Sequence, residues 1–217
     1  GIRKLKLAIF LSGRGSNMEA LCQAAQKVDS AYQVCRVLSN RPDAKGLQWA
    51  SGHGFSTRAV DHRKFAGKAE FEAELDDDLN AAGADYVCLA GFMRLLSANF
   101  VQKWRGRLLN IHPSLLPSFP GLAPQQQALD AGVRISGCTV HFVSEETDAG
   151  PIIAQTAVPV LPHDSEEALS QRILTAEHRT YAPALGAVCA GRVSWAGGPK
   201  AVISDEAGEP LYHYPDL

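Results

Sequence analysis

The stretch LKLAIFLSGRGSNMEALCQAAQK, residues 5–27, changes character at a glycine-rich turn. The part before the turn, LKLAIFL, has the apolar content of a buried strand. The part after the turn, NMEALCQAAQK, is typical of a helix. A strand, a tight turn and a helix in this order form the first part of a βαβ unit. The stretch therefore predicts an α/β fold.

The same alternation continues through the first half of the chain. Strand-like runs YQVCRVLS, STRAV, DYVCLAG and RLLNIH are separated by helix-like runs DAKGLQWASGHG, KAEFEAELDDDLNAAG and SANFVQKW. Repeated βαβ units with right-handed crossovers build an open, doubly wound, mostly parallel sheet of the Rossmann-like type. The continuous apolar run VCLA at 87–90 favours a strand that is covered on both faces.

The second half predicts different elements. From residue 136, SGCTVHFVSEETDAGPIIAQTAVPV favours two extended segments joined by a polar loop. Residues 164–190 predict a long helix that begins with the capping pattern Asp164-x-x-Glu167. Pro183 lies inside that helix and predicts a kink or break near residue 181. Residues 192–217 indicate a hairpin followed by an irregular end.

Composition excludes several classes of function. The net charge is −2 and no block of Lys or Arg occurs, so we expect no nucleic-acid partner. No apolar stretch is long enough to span a bilayer, so we expect no membrane partner. The five cysteines are scattered and odd in number, which favours a reducing, cytoplasmic compartment. The seven histidines lack HxH or HExxH spacing, so we expect no metal site.

The run RLLNIHPSLLP contains two polar residues where a buried strand would carry apolar ones. Because side chains alternate along a strand, Asn110 and His112 share one face. Pro113 marks the C-terminal end of the strand, where open parallel sheets place their binding crevices. The pair is a candidate site, although two core polar residues satisfied by nearby backbone would give the same pattern.

The turn LSGRGSN suits an anion. Gly13 and Gly15 allow close approach of the backbone, and Ser16 or Asn17 can cap the following helix. Met18 occupies the position of the third glycine of a dinucleotide-binding fingerprint, and the GK[ST] of a P-loop is absent. The turn therefore favours a monophosphate, although any tight βα turn would also use glycine and a cap.

Two further stretches complete the candidate site. AGFMRLLS, residues 90–97, follows a strand and could line a pocket for a flat ligand, or could be plain core. In HFVSEETDAGPI, Asp148 lies in a polar turn; beside a histidine it would favour the imidazolium form, but turns favour aspartate in general.

The sequence contains no GxSxG elbow, the motif that carries the serine nucleophile of many hydrolases. The substrate is then expected to supply the nucleophile, while the protein stabilises an oxyanion.

The motifs SGRGSN, LAGFMRLLS, NIHPSLLPSFPG, GCTVHFV with DAGPII, and AEHRTYAPAL together resemble the phosphoribosylglycinamide formyltransferase family. The resemblance runs from about residue 5 to residue 190 in the family's order and spacing. It implies a folate-dependent enzyme of purine biosynthesis that moves a formyl group from 10-formyltetrahydrofolate, its co-substrate, to the amine of glycinamide ribonucleotide. It also implies one formyltransferase domain over 1–191, with a phosphate-binding half at 1–105 and a catalytic and folate-binding half at 106–191.

The resemblance assigns roles to matching residues. The catalytic residues would be Asn110, His112 and Asp148. The substrate's phosphate would bind Gly15, Ser16 and Asn17, and its glycinamide part would contact Glu177. The folate would bind Lys68, Phe92, Met93, Arg94, Leu95, Leu96, Asn110, Val143 and Asp148. Asn110 and protonated His112 would hold the oxyanion, and Asp148 would orient His112 and help to move protons. The enzyme would act as a monomer or a homodimer.

One segment departs from the family pattern. Many members carry histidine or arginine soon after PG, whereas Ala123, Pro124, Gln125 and Gln126 stand here. This segment resembles methionyl-tRNA formyltransferase, for which we would expect a further RNA-binding domain and a basic surface. Formyltetrahydrofolate deformylase, which uses water as acceptor, would be expected to carry a regulatory domain. A non-catalytic nucleotide-binding module would not need Asn110, His112 and Asp148 together.

Overall fold

The computed structural model describes residues 3–204, 212, 214 and 215. A seven-stranded sheet has the order β3-β2-β1-β4-β5-β6-β7. Its strands are β1 (Leu5–Leu11), β2 (Tyr32–Ser39), β3 (Thr57–Ala59), β4 (Tyr86–Leu89), β5 (Leu108–His112), β6 (Ile135–Phe142) and β7 (Ile152–Pro159). The helices are α1 (Ser16–Ala25), α2 (Lys45–Gly52), α3 (Lys68–Ala82), α4 (Ala98–Lys103), α5 (Pro124–Ala131) and α6 (Glu166–Cys189).

Strands β1 to β5 run parallel, and β6 and β7 add two antiparallel strands at one edge. The predicted doubly wound, mostly parallel sheet is therefore confirmed. The chain winds from β1 towards β3 on one side and from β4 onwards on the other. This reversal places a crevice at the carboxyl ends of β1 and β4, where open α/β sheets bind ligands.

Both faces of the sheet are covered, which explains the apolar runs in the sequence. In β1, Leu7 and Ile9 pack into the core formed with α1 and α6, whereas Ala8 and Phe10 pack into the core formed with α3 and α4. Tyr181 of α6 is fully buried, and its hydroxyl group lies 2.8 Å from the Leu89 carbonyl oxygen and 3.1 Å from that of Leu109. This contact fixes α6 against the ends of β4 and β5.

Helix α6 corrects two predictions. Its N-cap is Ser165, whose hydroxyl accepts the Ala168 N–H at 3.0 Å, and not Asp164. Asp164 instead forms an ion pair with Arg172 at 2.6 Å. The predicted break near residue 181 is wrong, because the helix continues through Pro183 to Cys189. Packing of the buried face of α6 against the sheet offsets the roughly 3 kcal/mol that an interior proline costs.

The predicted C-terminal hairpin is present, because β8 (Val193–Ser194) pairs antiparallel with β9 (Val202–Ile203). Trp195 attaches it to the main sheet by stacking on Phe142 with ring centroids 5.9 Å apart. The predicted irregular end falls largely on residues 205–211, 213, 216 and 217, outside the described residues. None of the described helices is long and apolar enough to cross a membrane.

Candidate active site

The end of β5 presents the two polar residues that the sequence singled out. Leu109 and Ile111 point into the core with α6, and the alternation of the strand turns Asn110 and His112 to the other face. Asn110 is partly exposed, and its side-chain amide has no hydrogen-bond partner among residues 3–204. Its donors are therefore available to a ligand.

His112 and Asp148 form a nearly buried pair. His112 Nδ1 lies 3.6 Å from Asp148 Oδ1, and the two side chains are 9% and 11% exposed. His112 Nε2 lies 3.0 Å from the carbonyl oxygen of Phe119. Both ring nitrogens thus face oxygen acceptors, Nε2 at hydrogen-bonding distance and Nδ1 at a longer one. Charge interactions at this depth are weakly screened by solvent.

The β6–β7 connection carries Asp148 to this position. Asp148 has a left-handed backbone conformation with φ of 54°, which aspartate tolerates better than most residues. Gly150 allows the connection to fold back on β6, since a Cβ there would lie 1.6 Å from the Phe142 carbonyl oxygen. A glycine two residues after the carboxylate is thus required for the loop's path.

A cleft of about 110 Å³ opens between the β4–α4 and β6–β7 loops. Seven of the nine predicted folate residues line it: Phe92, Arg94, Leu95, Leu96, Asn110, Val143 and Asp148. Met93 does not line the cleft; the residue is 76% exposed, and its N–H donates to the Ser12 hydroxyl at 2.8 Å. Lys68 begins α3 and lines a separate groove with Ser97 and Lys103. The lining of the cleft combines the buried apolar side chains of Leu89 and Val101 with the exposed charged residues Arg94, Glu145 and Glu146.

His141 also lines this cleft, and sequence reasoning gave it no role. It lies directly opposite Asn110 in the antiparallel β5–β6 pair and is 2% exposed. Its Nδ1 contacts the Phe142 carbonyl at 2.9 Å, and burial lowers the pKa of its ring. A neutral ring that donates from Nδ1 leaves Nε2 as an acceptor, and within the described part of the chain this atom has no hydrogen-bond partner. Only the register of the two strands could have revealed it.

The glycine-rich turn lies between β1 and α1. Gly15 is the N-cap of α1 in a left-handed conformation, and in residues 3–204 no side-chain hydrogen bond caps this end of the helix. The predicted capping role of Ser16 or Asn17 is wrong, because both belong to the first helical turn. Gly46 of α2 packs against this turn, and its N–H donates to the Gly13 carbonyl at 3.0 Å. The uncapped N–H groups of α1 are suited to an anion.

Asn17 and Glu177 bring α1 and α6 together beside this turn. The Asn17 amide donates to Glu177 Oε1 at 3.1 Å, and both residues are less than one tenth exposed. Burial raises the pKa of the Glu177 carboxyl group from 4.5 to about 7, and the Asn17 hydrogen bond opposes this shift only in part. Asn17 Oδ1 has no hydrogen-bond partner among the residues that the structure describes. The predicted phosphate turn and the predicted glycinamide contact are therefore adjacent.

Side chains that could bind a metal ion do not form a cluster in the part of the chain that the structure describes. In residues 3–204, 212, 214 and 215, no three His, Cys, Asp or Glu side chains are arranged to hold a metal ion. The five cysteines are all free. Burial raises the pKa of the Cys22 and Cys189 thiols to about 12, so they are poor nucleophiles.

Comparisons of this chain with known proteins agree on one family. The model of the formyl transferase family matches residues 5–185. The trifunctional purine biosynthetic protein adenosine-3 of Gallus gallus is 48% identical over 190 residues, which are 88% of this chain and 19% of that protein. The Drosophila melanogaster protein of the same name is 51% identical over 193 residues. The chain spans only 14–19% of the length of these two relatives.

Relatives of similar length are also found. Phosphoribosylglycinamide formyltransferase of Escherichia coli is 38% identical over 212 residues, covering 93% of this chain and all of that protein. The structure of glycinamide ribonucleotide transformylase 1 from Symbiobacterium toebii has a TM-score of 0.89 and 42% identity, covering 93% of this chain and 95% of that one. The Brucella melitensis phosphoribosylglycinamide formyltransferase structure has a TM-score of 0.84 and 48% identity, covering 87% and 97%.

Proposed function

This chain belongs to the formyl transferase family, and we propose that it transfers the formyl group of 10-formyltetrahydrofolate to the amine of 5-phosphoribosylglycinamide in purine biosynthesis. The observation that carries the proposal is the buried His112–Asp148 pair beside Asn110, whose amide has no partner among residues 3–204. Acyl transfer to an amine needs hydrogen-bond donors for an oxyanion and a route for protons. These three side chains supply both.

The reaction needs no nucleophile from the protein. The substrate amine attacks the formyl carbon, and negative charge develops on the formyl oxygen. Asn110 and His112 donate hydrogen bonds to that oxygen, and Asp148 holds the imidazolium ring in place. Collapse of the intermediate breaks the bond to the folate nitrogen, which gains a proton while the attacking amine loses one. Because His112 Nε2 now contacts the Phe119 carbonyl, donation from this atom to substrate requires that contact to be exchanged.

Two neighbouring regions would hold the substrates. We place the phosphate of glycinamide ribonucleotide at Gly15, Ser16 and Asn17, because the uncapped N-terminus of α1 offers N–H groups and a favourable dipole. Glu177, in contact with Asn17, would bind the glycinamide part. The folate would occupy the cleft lined by Phe92 and Val143. Ser12 connects the two regions through its contacts with Gly91 and Met93.

The test is the acceptor dependence of tetrahydrofolate release from 10-formyltetrahydrofolate. Glycinamide ribonucleotide, formyl-accepting tRNA and water alone are offered in parallel. We expect turnover with glycinamide ribonucleotide to exceed both other reactions by at least about a hundredfold, since the amine attack is the step that the site serves. Equal turnover without any amine would identify a deformylase, and tRNA-dependent turnover would identify the tRNA enzyme.

Several associated proposals follow from the same function. The protein would act in the cytoplasm, and its partners would be its two small-molecule substrates. It would bind neither nucleic acid nor a membrane. It would act as a monomer or homodimer. The reaction would use no metal. The domain boundaries at 105 and 191 also stay predictions.

Replacing Glu177 with glutamine should alter the pH dependence of stability. The folded-state pKa of this carboxyl is raised to about 7, so the folded protein binds more protons than the unfolded chain between pH 4.5 and 7. Stability should therefore fall as pH rises through this window. Glutamine does not titrate, so Glu177→Gln should be more stable than the wild type above pH 7 by up to about 3 kcal/mol, with the advantage shrinking towards pH 4.5. Urea unfolding at pH 5 and pH 8 measures this, and a pH-independent difference would contradict it.

A further inference from the structure

Residues 119–122 contact both members of the catalytic pair. The Phe119 carbonyl oxygen lies 3.0 Å from His112 Nε2, and the Gly121 N–H donates to Asp148 Oδ2 at 2.9 Å. The other oxygen of the same carboxylate faces His112 Nδ1 at 3.6 Å. The orientation of Asp148 towards His112 therefore depends on the conformation of this segment.

The backbone of this segment is not one that its sequence favours. Phe119 at its start and Ala123 directly after it have φ of 54° and 50°, in the left-handed region that residues other than glycine rarely adopt. Such a residue costs of order 1–3 kcal/mol and persists only where its surroundings hold it. On the N-terminal side, the Ser114 hydroxyl donates to the Ser118 carbonyl at 2.6 Å. On the C-terminal side, a second restraint comes from α5, of which Ala123 is the N-cap.

Gln127 supplies that restraint. Its Nε2 donates to the Pro120 carbonyl at 2.9 Å and to the Leu122 carbonyl at 2.8 Å, the two carbonyls that flank Gly121. A side-chain amide has two N–H donors, so both are used. Gln127 is held by α5, whose next residue, Ala128, is fully buried in the core.

We propose that Gln127 is a positioning residue for formyl transfer. Its amide fixes residues 120–122, the Gly121 N–H is thereby kept on Asp148, and the carboxylate is kept against His112. Gln127 acts only through the loop backbone. The role rests on the proposed function, which makes Asp148 part of the chemistry. Misplacement of a catalytic group by about 1 Å can cost on the order of a hundredfold in rate, so a contact two steps from the reaction still matters.

The neighbouring Gln126 is a matched control. It is also partly buried on α5, but its Nε2 donates to Asp130 Oδ1 at 2.7 Å, within the helix. Gln126→Leu therefore removes a side-chain amide from α5 without touching residues 119–122. Gln127→Leu removes the same group and loses both loop contacts.

The experiment combines ¹⁵N relaxation with kinetics on the full chain. We expect the Gly121 amide order parameter to be near 0.85 in the wild type and Gln126→Leu, and near or below 0.6 in Gln127→Leu. Only Gln127→Leu should lower kcat, by about tenfold or more, with the KM of both substrates within about threefold. Adding Gln127→Leu to Asp148→Asn should lower kcat less than twofold further, because the two residues act through one contact.

Three results would overturn the positioning role: an unchanged Gly121 order parameter in Gln127→Leu, a loosened Gly121 with wild-type kcat, or full additivity with Asp148→Asn. A wild-type chain that does not use glycinamide ribonucleotide would contradict the proposed function instead. The relaxation comparison still decides in that case whether Gln127 holds Gly121 on Asp148.

Discussion

Asp148→Asn should lower kcat for formyl transfer by about 10²- to 10³-fold or more while the protein stays folded. The substitution removes the charge that faces His112 but keeps the shape of the side chain. Asparagine tolerates the left-handed conformation of this position and can still accept the Gly121 N–H. The imidazolium then lacks its counter-charge as the oxyanion forms, and proton movement loses a carboxylate. Steady-state kinetics and thermal unfolding on the same preparation measure both effects.

Asp164→Asn is the matched control for this substitution. Asp164 is also a nearly buried carboxylate in an ion pair, with Arg172 at 2.6 Å, but it lies at the start of α6 away from the cleft. We expect this variant to lose some thermal stability and to keep its kcat. A stable Asp148→Asn protein with near wild-type kcat would contradict the mechanism, whatever family the chain belongs to.

The fold was largely predictable because local patterns determine it. Alternating strand-like and helix-like runs predicted the parallel part of the sheet, and the apolar runs required helices on both faces. The spacing of two residues between Asn110 and His112 predicted that both side chains share one face at the end of β5. The N-cap of α6 was misplaced because Asp164 and Ser165 are both good capping residues. The ion pair with Arg172, eight residues further on, decides between them.

The rest of the site depends on contacts that no local pattern contains. Asp148 reaches His112 only because β6 and β7 pair and Gly150 lets their connection fold back. His141 enters the cleft through the β5–β6 register, which pairs it with Asn110. Gln127 directly follows Ala123–Gln126, the residues that depart from the family pattern. Its amide reaches the Pro120 and Leu122 carbonyls across a left-handed residue, Ala123, which no local pattern predicts.

The Asn110→Ala variant tests whether the Asn110 side chain serves the reaction or the stability of the fold. Among residues 3–204, no group hydrogen-bonds to the Asn110 side chain, so its removal leaves no buried donor or acceptor unpaired. Thermal stability should therefore change little. Loss of one oxyanion donor typically costs about 10²- to 10³-fold in kcat, with a smaller effect on substrate affinity. Asn80→Ala, at an exposed position near the end of α3, is a control that should leave kcat unchanged.

The competing interpretation makes the opposite forecast for the same variant. If Asn110 were a core polar residue satisfied by nearby backbone, its removal would lower the melting temperature, and turnover per folded molecule would persist. Its partial exposure and its place in the cleft, opposite His141 and beside Asp148, favour the catalytic role. Measuring kcat, KM and melting temperature for Asn110→Ala therefore decides whether this amide serves the reaction or the fold.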